Sequence, residues 1–321
     1  MDTTTFGRTG LTVSVAGLGC GGNSRLGLGS GGSEAEAITL VRKALDLGVN
    51  LFDTAAAYGT EEVLGKALKG VPRERVVIAT KASWGALSAE RAVASLDRSL
   101  SRLGTDYIDI FQLHGLSPAE YRRAREVVAP ALLKERDKGK LRFLGVTEAG
   151  PSDPAHEMIA RAVADGIWDS VMVAFHMLHQ NARERVFPLT LKHRVGTLLM
   201  FAVRNIFSQP ARLEAAMCEL AAKGAVPQAL AAADDPLGFL VHPGGATSLI
   251  DAAYRFVRHE PGVDVVLFGT GDTGHLRANI ASLLAPPLPE SDRDALGKLF
   301  GHLVGVGLDL PGFAGGPAPA A

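Results

Sequence analysis

The sequence predicts an α/β protein: a (β/α)8 TIM barrel with an N-terminal β-hairpin and long loops at its C-terminal face. Eight apolar, strand-like runs alternate with helix-like stretches. Most of these runs are apolar nearly throughout, as in parallel strands that are buried on both faces. Glycines lie near the ends of several helix-like stretches, where the backbone often needs a positive φ. Eight such alternations favour a closed barrel over an open sheet.

The predicted elements follow one another at a regular spacing. Two of the helix-like stretches begin with a serine, Ser33 or Ser88, that can cap the N-terminus of a helix. Acidic residues follow each serine and stabilise the helix N-terminus electrostatically. The strand-like runs cover 13–19, 49–55, 75–82, 107–114, 141–148, 170–177, 197–203 and 263–270. The helix-like stretches cover 33–47, 61–68, 88–103, 118–138, 154–164, 181–193 and 247–258.

Three segments lie outside this alternation. The stretch FGRTGLTVSV predicts a short hairpin that closes the bottom of the barrel before the first strand. The segment 205–245 is a long insertion with one extra helix, and a further short helix is expected after Leu284. We therefore expect a single barrel domain over residues 1–310 and a disordered tail over 311–321.

The composition argues against several classes of function. The net charge is −1 and there is no basic block, so nucleic-acid binding is not expected. No apolar run is long enough for a membrane span, and the N-terminus lacks the pattern of a secretory signal. Cys20 and Cys218 stand far apart, as expected of free thiols in the reducing cytoplasm, which is the predicted location. The oligomeric state stays open.

Two glycine motifs have the form of a dinucleotide-binding turn. The stretch VVLFGTGDTGHL spaces Gly269, Gly271 and Gly274 as G-x-G-x-x-G, and GLGCGG repeats that spacing near the N-terminus. A Rossmann fold also needs a further βαβ unit, for which the chain after Gly274 is too short. In a barrel both motifs fall at C-terminal ends of strands, and the loop after the last strand is a favoured phosphate site.

Four polar side chains occur at the ends of three consecutive strands or just after them. They are Asp53, Tyr58, Lys81 and His114. Reduction of a carbonyl needs a proton on oxygen, and a tyrosine can donate it if a nearby lysine lowers its pKa. An aspartate can neutralise the buried lysine, and a histidine can orient the substrate oxygen. Each residue alone reads equally well as an ordinary strand-end polar residue, but the set favours a catalytic site.

Five motifs follow one another along nearly the whole chain: FGRTGLTVSVAGLGCGG, NLFDTAAAYG, VIATKAS, GTDYIDIFQLHG and FGTGDTGHLRANI. In this combination and order they resemble the aldo-keto reductase superfamily. The resemblance implies an enzyme that interconverts a carbonyl (aldehyde, ketone or sugar lactol and lactone) and an alcohol by hydride transfer with a nicotinamide cofactor. It implies that Asp53, Tyr58, Lys81 and His114 are the catalytic tetrad, with Tyr58 as general acid and base. Trp84 and His114 are the expected substrate contacts.

The expected nicotinamide contacts depart from the family pattern. The usual Ser-Asn pair is Thr147-Glu148 here, and Glu148 offers only acceptors, which suits the carboxamide NH2. The glutamine of the sixth strand is replaced by Met172. Met200 stands at the position where the family has an aromatic residue that stacks on the nicotinamide. A one-residue register difference would place the neighbouring Phe201 on the nicotinamide ring instead.

The adenosine end also departs from the family. Many NADP-dependent members carry a cation in the last loop to pair with the 2′-phosphate. Here the loop has Asp272 and His275, so NAD is favoured over NADP, and oxidation of an alcohol or lactol over reduction. The remaining expected cofactor contacts are Gly21, Gly269, Thr270, Gly271 and Asn279.

Two alternatives complete the sequence-based expectations. The pair His176 and His179 lacks the partners that a metal-dependent barrel hydrolase requires, so no metal site is predicted. A cofactor-binding regulatory or interaction subunit with little catalysis is the alternative function, because the nicotinamide contacts differ from those of the family. The exact substrate cannot be derived from the loops.

Overall fold

Eight parallel strands close into a barrel, which confirms the predicted fold class. The computed structural model describes residues 1–82 and 85–309. A hairpin, β1 (Thr3–Thr5) and β2 (Thr12–Ser14), precedes the barrel. The barrel strands are β3 (Ala16–Gly19), β4 (Leu51–Asp53), β5 (Val77–Lys81), β6 (Ile108–Leu116), β7 (Leu141–Glu148), β8 (Ser170–Ala174), β9 (Gly196–Met200) and β10 (Val265–Phe268). Pairing of β10 with β3 completes the ring.

Helices connect the strands and cover the outside of the barrel. Those within the described residues are α1 (Glu34–Asp46), α2 (Glu61–Leu68), α3 (Ala89–Leu103), α4 (Pro118–Arg123), α5 (Ala129–Asp137), α6 (Glu157–Asp165), α7 (Ala182–Arg185), α8 (Phe187–His193), α9 (Asn205–Ser208), α10 (Pro210–Ala222), α11 (Gln228–Ala231), α12 (Leu249–Arg258), α13 (Thr273–Leu284) and α14 (Glu290–Phe300). Ser33 caps α1 in a reciprocal capping box with Glu36, and Ser88 caps α3. None of these helices is long and apolar enough to cross a membrane.

Several predicted boundaries differ from the observed ones. The run 13–19 is two strands, because Val15 separates the hairpin strand β2 from the barrel strand β3. The stretch 118–138 is interrupted by a π-helical turn, Ala124–Val128, just before Pro130, whose missing N–H disturbs the helical ladder. The run 170–177 ends at Ala174, where the chain enters a turn.

The hairpin packs across the bottom of the barrel, as predicted. Phe6 is fully buried there, and a Cβ on Gly196 would overlap its ring. Arg8 holds the hairpin in place through Asp169 and through the carbonyl groups of Gly166 and Trp168. This end of the barrel is therefore closed by packing.

The strand alternation separates two apolar layers. Alternate side chains point into the barrel, where Leu51, Val77, Ile110 and Met172 pack together with residues of the hairpin. The others face the helices and form the larger core. Inward-facing positions at the C-terminal strand ends therefore open onto the opposite end, the mouth, where the long loops lie. The predicted tail, 311–321, lies outside the described residues.

Candidate active site

A buried ion pair lies at the mouth, at the ends of β4 and β5. Lys81 Nζ donates to Asp53 Oδ1 and Oδ2 at 2.8 and 2.7 Å, and to the Thr54 carbonyl oxygen at 2.8 Å. The Lys81 side chain has no exposed surface, so its charge requires the carboxylate. Both residues occupy inward-facing positions on adjacent parallel strands, which is why residues distant in the sequence meet here.

Tyr58 stands above this pair. A short 3-10 turn, Ala56–Tyr58, carries it, and Gly59 ends the turn with φ of 69°. Lys81 Nζ lies 4.9 Å from the centroid of the Tyr58 ring. On the other side a Cβ on Gly21 would come within 2.6 Å of Tyr58 Cδ2, so the ring packs directly on the Gly21 backbone. Gly21, predicted as a cofactor contact, thus also positions Tyr58.

His114 brings the third strand end into the same group. Its Nε2 lies 3.4 Å from the Tyr58 hydroxyl, and the two rings meet edge to face. The next residue, Gly115, donates its N–H to Thr147 Oγ1 at 2.7 Å. The structure therefore brings together all four predicted tetrad residues, and Thr147 fixes the backbone beside one of them.

The environment sets the protonation of these groups. Burial, followed by the Lys81 charge, holds the pKa of His114 well below its ordinary value, so this imidazole is neutral near neutral pH. The expected lowering of the Tyr58 pKa is not reached in the protein alone. Burial raises the pKa of Tyr58 by more than Lys81 lowers it. Burial also raises the pKa of Asp53 despite the neighbouring ammonium group.

Glu148 has other partners than the expected nicotinamide carboxamide. Its Oε1 accepts from Ala174 N at 2.7 Å, and its Oε2 lies 2.7 Å from His156 Nδ1. The Glu148 side chain has no exposed surface. Nothing in the strand pattern indicates this arrangement, because His156 lies directly before helix α6 and not on a strand. The expected contact of Glu148 with the carboxamide is therefore not supported.

Phe201 does not lie where stacking on a nicotinamide ring would require it. Met200 occupies the inward-facing position on β9, so the register difference that would place Phe201 over a nicotinamide ring is absent. The Phe201 ring instead packs against Gly150 and lies 4.3 Å from the guanidinium carbon of Arg204. Met172 lies deep in the barrel interior, where it is 3% exposed.

The glycine loop after β10 ends in a capped helix. Asp272 Oδ1 accepts from Gly274 N and from His275 N, both at 2.8 Å, and so caps α13. Thr270 Oγ1 supports this turn through the Asp272 backbone. Gly269 lies exposed at the rim, as does His275, whereas Asn279 is 9% exposed.

The loop after β3 folds over this glycine loop. A Cβ on Gly271 would come within 2.6 Å of Gly27 N, so the two loops pack backbone to backbone. Three successive residues, Arg25, Leu26 and Gly27, have a positive φ. Arg25 was not among the residues predicted near the site. It reaches the turn that carries Tyr58, because its Nη2 would lie 3.0 Å from a Cβ placed on Gly59. Its only sequence signal is the glycine-rich surroundings in NSRLGLGSGG.

A cleft opens beside His114, which forms part of its lining. Its lining includes Ala82, Ala86, Leu87, Leu113, Leu116 and Glu120. Trp84, the other expected substrate contact, lies outside the described residues. Within the residues that are described, no group of histidine, cysteine and carboxylate side chains is arranged to hold a metal ion.

Comparisons with known proteins agree with the fold and identify a family. The family model described as "Aldo/keto reductase family" matches residues 18–299. The aldo-keto reductase YhdN of Bacillus subtilis is 28% identical over 87% of each chain. An L-galactose dehydrogenase of Arabidopsis thaliana is 41% identical, but the match spans only 44% of this chain and 47% of that protein.

A solved structure shows the same fold. The holo form of an aldo-keto reductase from Bacillus halodurans superposes with a TM-score of 0.72 at 23% identity, covering 94% of this chain and 96% of that one. The family match extends over most of the chain and includes the strands that carry Asp53, Lys81 and His114. This protein therefore belongs to the aldo/keto reductase family, whose members are oxidoreductases that act on carbonyl compounds and alcohols with nicotinamide cofactors.

Proposed function

We propose that this protein interconverts a carbonyl and an alcohol with Tyr58 as the general acid and base. The observation that carries the proposal is the convergence of Tyr58, His114 and the Lys81–Asp53 pair at one mouth. A proton donor, a neutral orienting imidazole and a buried cation are the groups that a carbonyl reduction site requires.

The chain's own residues account for the movement of the proton. A bound nicotinamide cofactor supplies or accepts the hydride. Neutral His114 can donate a hydrogen bond to the substrate oxygen and hold it near the Tyr58 hydroxyl. Tyr58 then gives its proton to that oxygen, and the Lys81 ammonium stabilises the phenolate that remains. Asp53 keeps Lys81 charged, and in the oxidative direction Tyr58 takes the proton back.

The mouth fits a dinucleotide in part. Thr147 keeps its hydroxyl hydrogen free to donate to a carboxamide oxygen, because Oγ1 acts as acceptor toward Gly115. At the adenosine end, Asp272 occupies the helix N-terminus with its own carboxylate, where the 2′-phosphate of NADP would be repelled. Its Oδ2 remains available to a ribose diol. We therefore favour NAD as cofactor.

An NAD-linked enzyme is expected to work mainly as a dehydrogenase, since NAD is mostly oxidised in cells. The partial similarity to an L-galactose dehydrogenase makes a sugar lactol the first substrate class to test. Turnover of one panel of alcohols and aldoses with NAD⁺ and with NADP⁺ tests both points. A strong preference for the phosphorylated cofactor would overturn the NAD proposal.

Tyr58→Phe is the decisive variant for the mechanism. It removes the hydroxyl and keeps the ring that packs on Gly21, so cofactor binding should be retained. We expect kcat to fall by at least about a hundredfold, the usual contribution of a positioned proton donor. Fluorescence titration of the cofactor serves as the control. Tight cofactor binding by the unmodified protein, without turnover across the panel, would favour a regulatory or interaction subunit instead.

A further inference from the structure

His156 is a buried histidine whose two ring nitrogens both face hydrogen-bond acceptors. Nδ1 lies 2.7 Å from Glu148 Oε2, and Nε2 lies 3.1 Å from Asn181 Oδ1. The imidazole and the Glu148 carboxyl group have no exposed surface. His156 has a positive φ of 57°, an uncommon conformation for a residue that is not glycine, and it directly precedes α6.

The partners of Asn181 and Glu148 fix the direction of these hydrogen bonds. Asn181 Nδ2 donates to the Pro154 carbonyl oxygen at 2.8 Å, so the amide must turn its oxygen toward His156. His156 Nε2 therefore carries a proton. Glu148 Oε1 accepts from Ala174 N, and a carboxylate Oε2 can make the 2.7 Å contact with His156 only as an acceptor, which requires a proton on Nδ1 as well.

The charges around His156 favour the doubly protonated ring. Asp153 lies in the loop before α6 and accepts from Glu157 N and Met158 N in the first turn of that helix. Burial lowers the pKa of His156, but Glu148, the hydrogen bond to Asn181 and the charge of Asp153 together outweigh burial, and the pKa is raised overall.

Two other histidines extend this cluster without adding charge. His179 lies 5.0 Å from His156 between ring centroids, and its Nδ1 accepts from Gly305 N. Burial lowers the pKa of His179 to about 3, so this ring is neutral. His176, 5.9 Å beyond His179, also has a pKa well below its ordinary value because of burial. His156 is thus the charged member of the three.

The network is tied to the active site through β7. Glu148 joins the end of β7 to Ala174 at the end of β8. Its neighbour Thr147 joins β7 to Gly115, the residue after His114. We infer that His156 is a positioning residue, held as an imidazolium, that locks Glu148 and so fixes the strand ends beside His114. Only its effect on turnover rests on the proposed function.

The protonation of His156 can be measured directly in the full-length protein. Nitrogen NMR of ¹⁵N-histidine-labelled protein at about pH 8, where an unperturbed histidine is neutral, should show one ring with both nitrogens protonated. Glu148→Gln keeps the shape of the side chain, and its amide can donate to Nδ1. In that variant the same ring should lose its Nδ1 proton. An unprotonated Nδ1 in the wild-type protein would overturn the inference, whatever its activity.

The positioning role has a separate test. Glu135→Gln is the matched control, because Glu135 is also a buried carboxylate paired with cations, Lys138 and Lys140, away from the mouth. Glu148→Gln replaces the charge-assisted hydrogen bond to His156 with a weaker neutral one, so we expect kcat to fall by about tenfold or more through misplacement of His114, with KM for the cofactor nearly unchanged. Glu135→Gln should lose a similar amount of stability but keep the kcat of the wild-type protein. Equal kcat values in the two variants would exclude the positioning role.

The two tests separate this inference from the proposed function. A protonated His156 in a protein that turns over no carbonyl or alcohol would leave the imidazolium established and refute the proposed activity. A neutral His156 in an enzyme that turns over these substrates would refute the imidazolium and support the proposed activity.

Discussion

Gly21 controls where the Tyr58 ring can lie, because the ring takes the space of a Cβ. Gly21→Ala should push the ring away from Lys81 and His114. We expect kcat to fall by about tenfold or more from this misplacement, with a stability loss of about 1–3 kcal/mol from overpacking. Steady-state kinetics and chemical denaturation measure the two effects. Gly297→Ala is the control, since a Cβ there meets nothing within 4 Å and should leave kcat unchanged.

Asp272 combines a helix cap with a negative charge, and one substitution separates the two. Asp272→Ser keeps a side-chain oxygen for the cap of α13 but removes the charge. We expect the affinity for NADP relative to NAD to rise by about fivefold, the effect of roughly 1 kcal/mol for an exposed charge pair. Calorimetric titration with both cofactors measures the ratio. An unchanged ratio would show that Asp272 does not determine the preference.

Asp109 joins three neighbouring elements below the mouth. Its carboxylate accepts from Arg73 Nη2 at 2.6 Å, from Arg142 Nη1 at 2.8 Å and from Ile78 N at 2.9 Å. Asp109→Asn should lower the free energy of unfolding by about 3 kcal/mol, as for a buried ion pair that loses one partner. Urea denaturation measures this loss. Asp97→Asn, which breaks an exposed pair with Lys140, should cost less than about 1 kcal/mol.

The strands and the convergence of four polar side chains at the mouth were predictable from the sequence for a common physical reason. Strands buried on both faces are apolar throughout, so a polar residue at a strand end, such as Lys81 or His114, is conspicuous. Parallel strands then bring such residues to the same end of the barrel.

The partners of Glu148 and Phe201 were not predictable in this way. They come from loops, through His156 and Arg204, and loop geometry has no periodic signal in the sequence. The π-helical turn in the stretch 118–138 was missed because Pro130 alone does not specify how the helix adapts.

A buried carboxyl group at the bottom of the barrel, far from the mouth, makes the stability of the fold depend on pH. At the bottom, burial raises the pKa of Asp264 to about 6, although its carboxylate accepts from Thr197 N. The folded state therefore binds this proton more tightly than the unfolded state does. That stabilisation is complete below about pH 4 and is lost as the pH rises through 6.

Asp264→Asn should consequently stabilise the protein at neutral pH. We expect a gain of about 2 kcal/mol at about pH 7 and little difference at about pH 4. Thermal unfolding of both proteins across this pH range measures the effect. Asp106→Asn, at an exposed aspartate, should show no such pH dependence. A gain of equal size at both pH values would mean that the charge of Asp264 is not its cause.

The closure of the barrel by β10 and β3 also constrains how the chain can fold during synthesis. The partners of Ala16 and Leu18 are Val266 and Phe268, which lie far along the sequence. While a ribosome is still making the protein, β3 has an unpaired edge until β10 has emerged. Cooperative closure of the ring must wait for this strand, so it depends on a contact between residues far apart in the sequence.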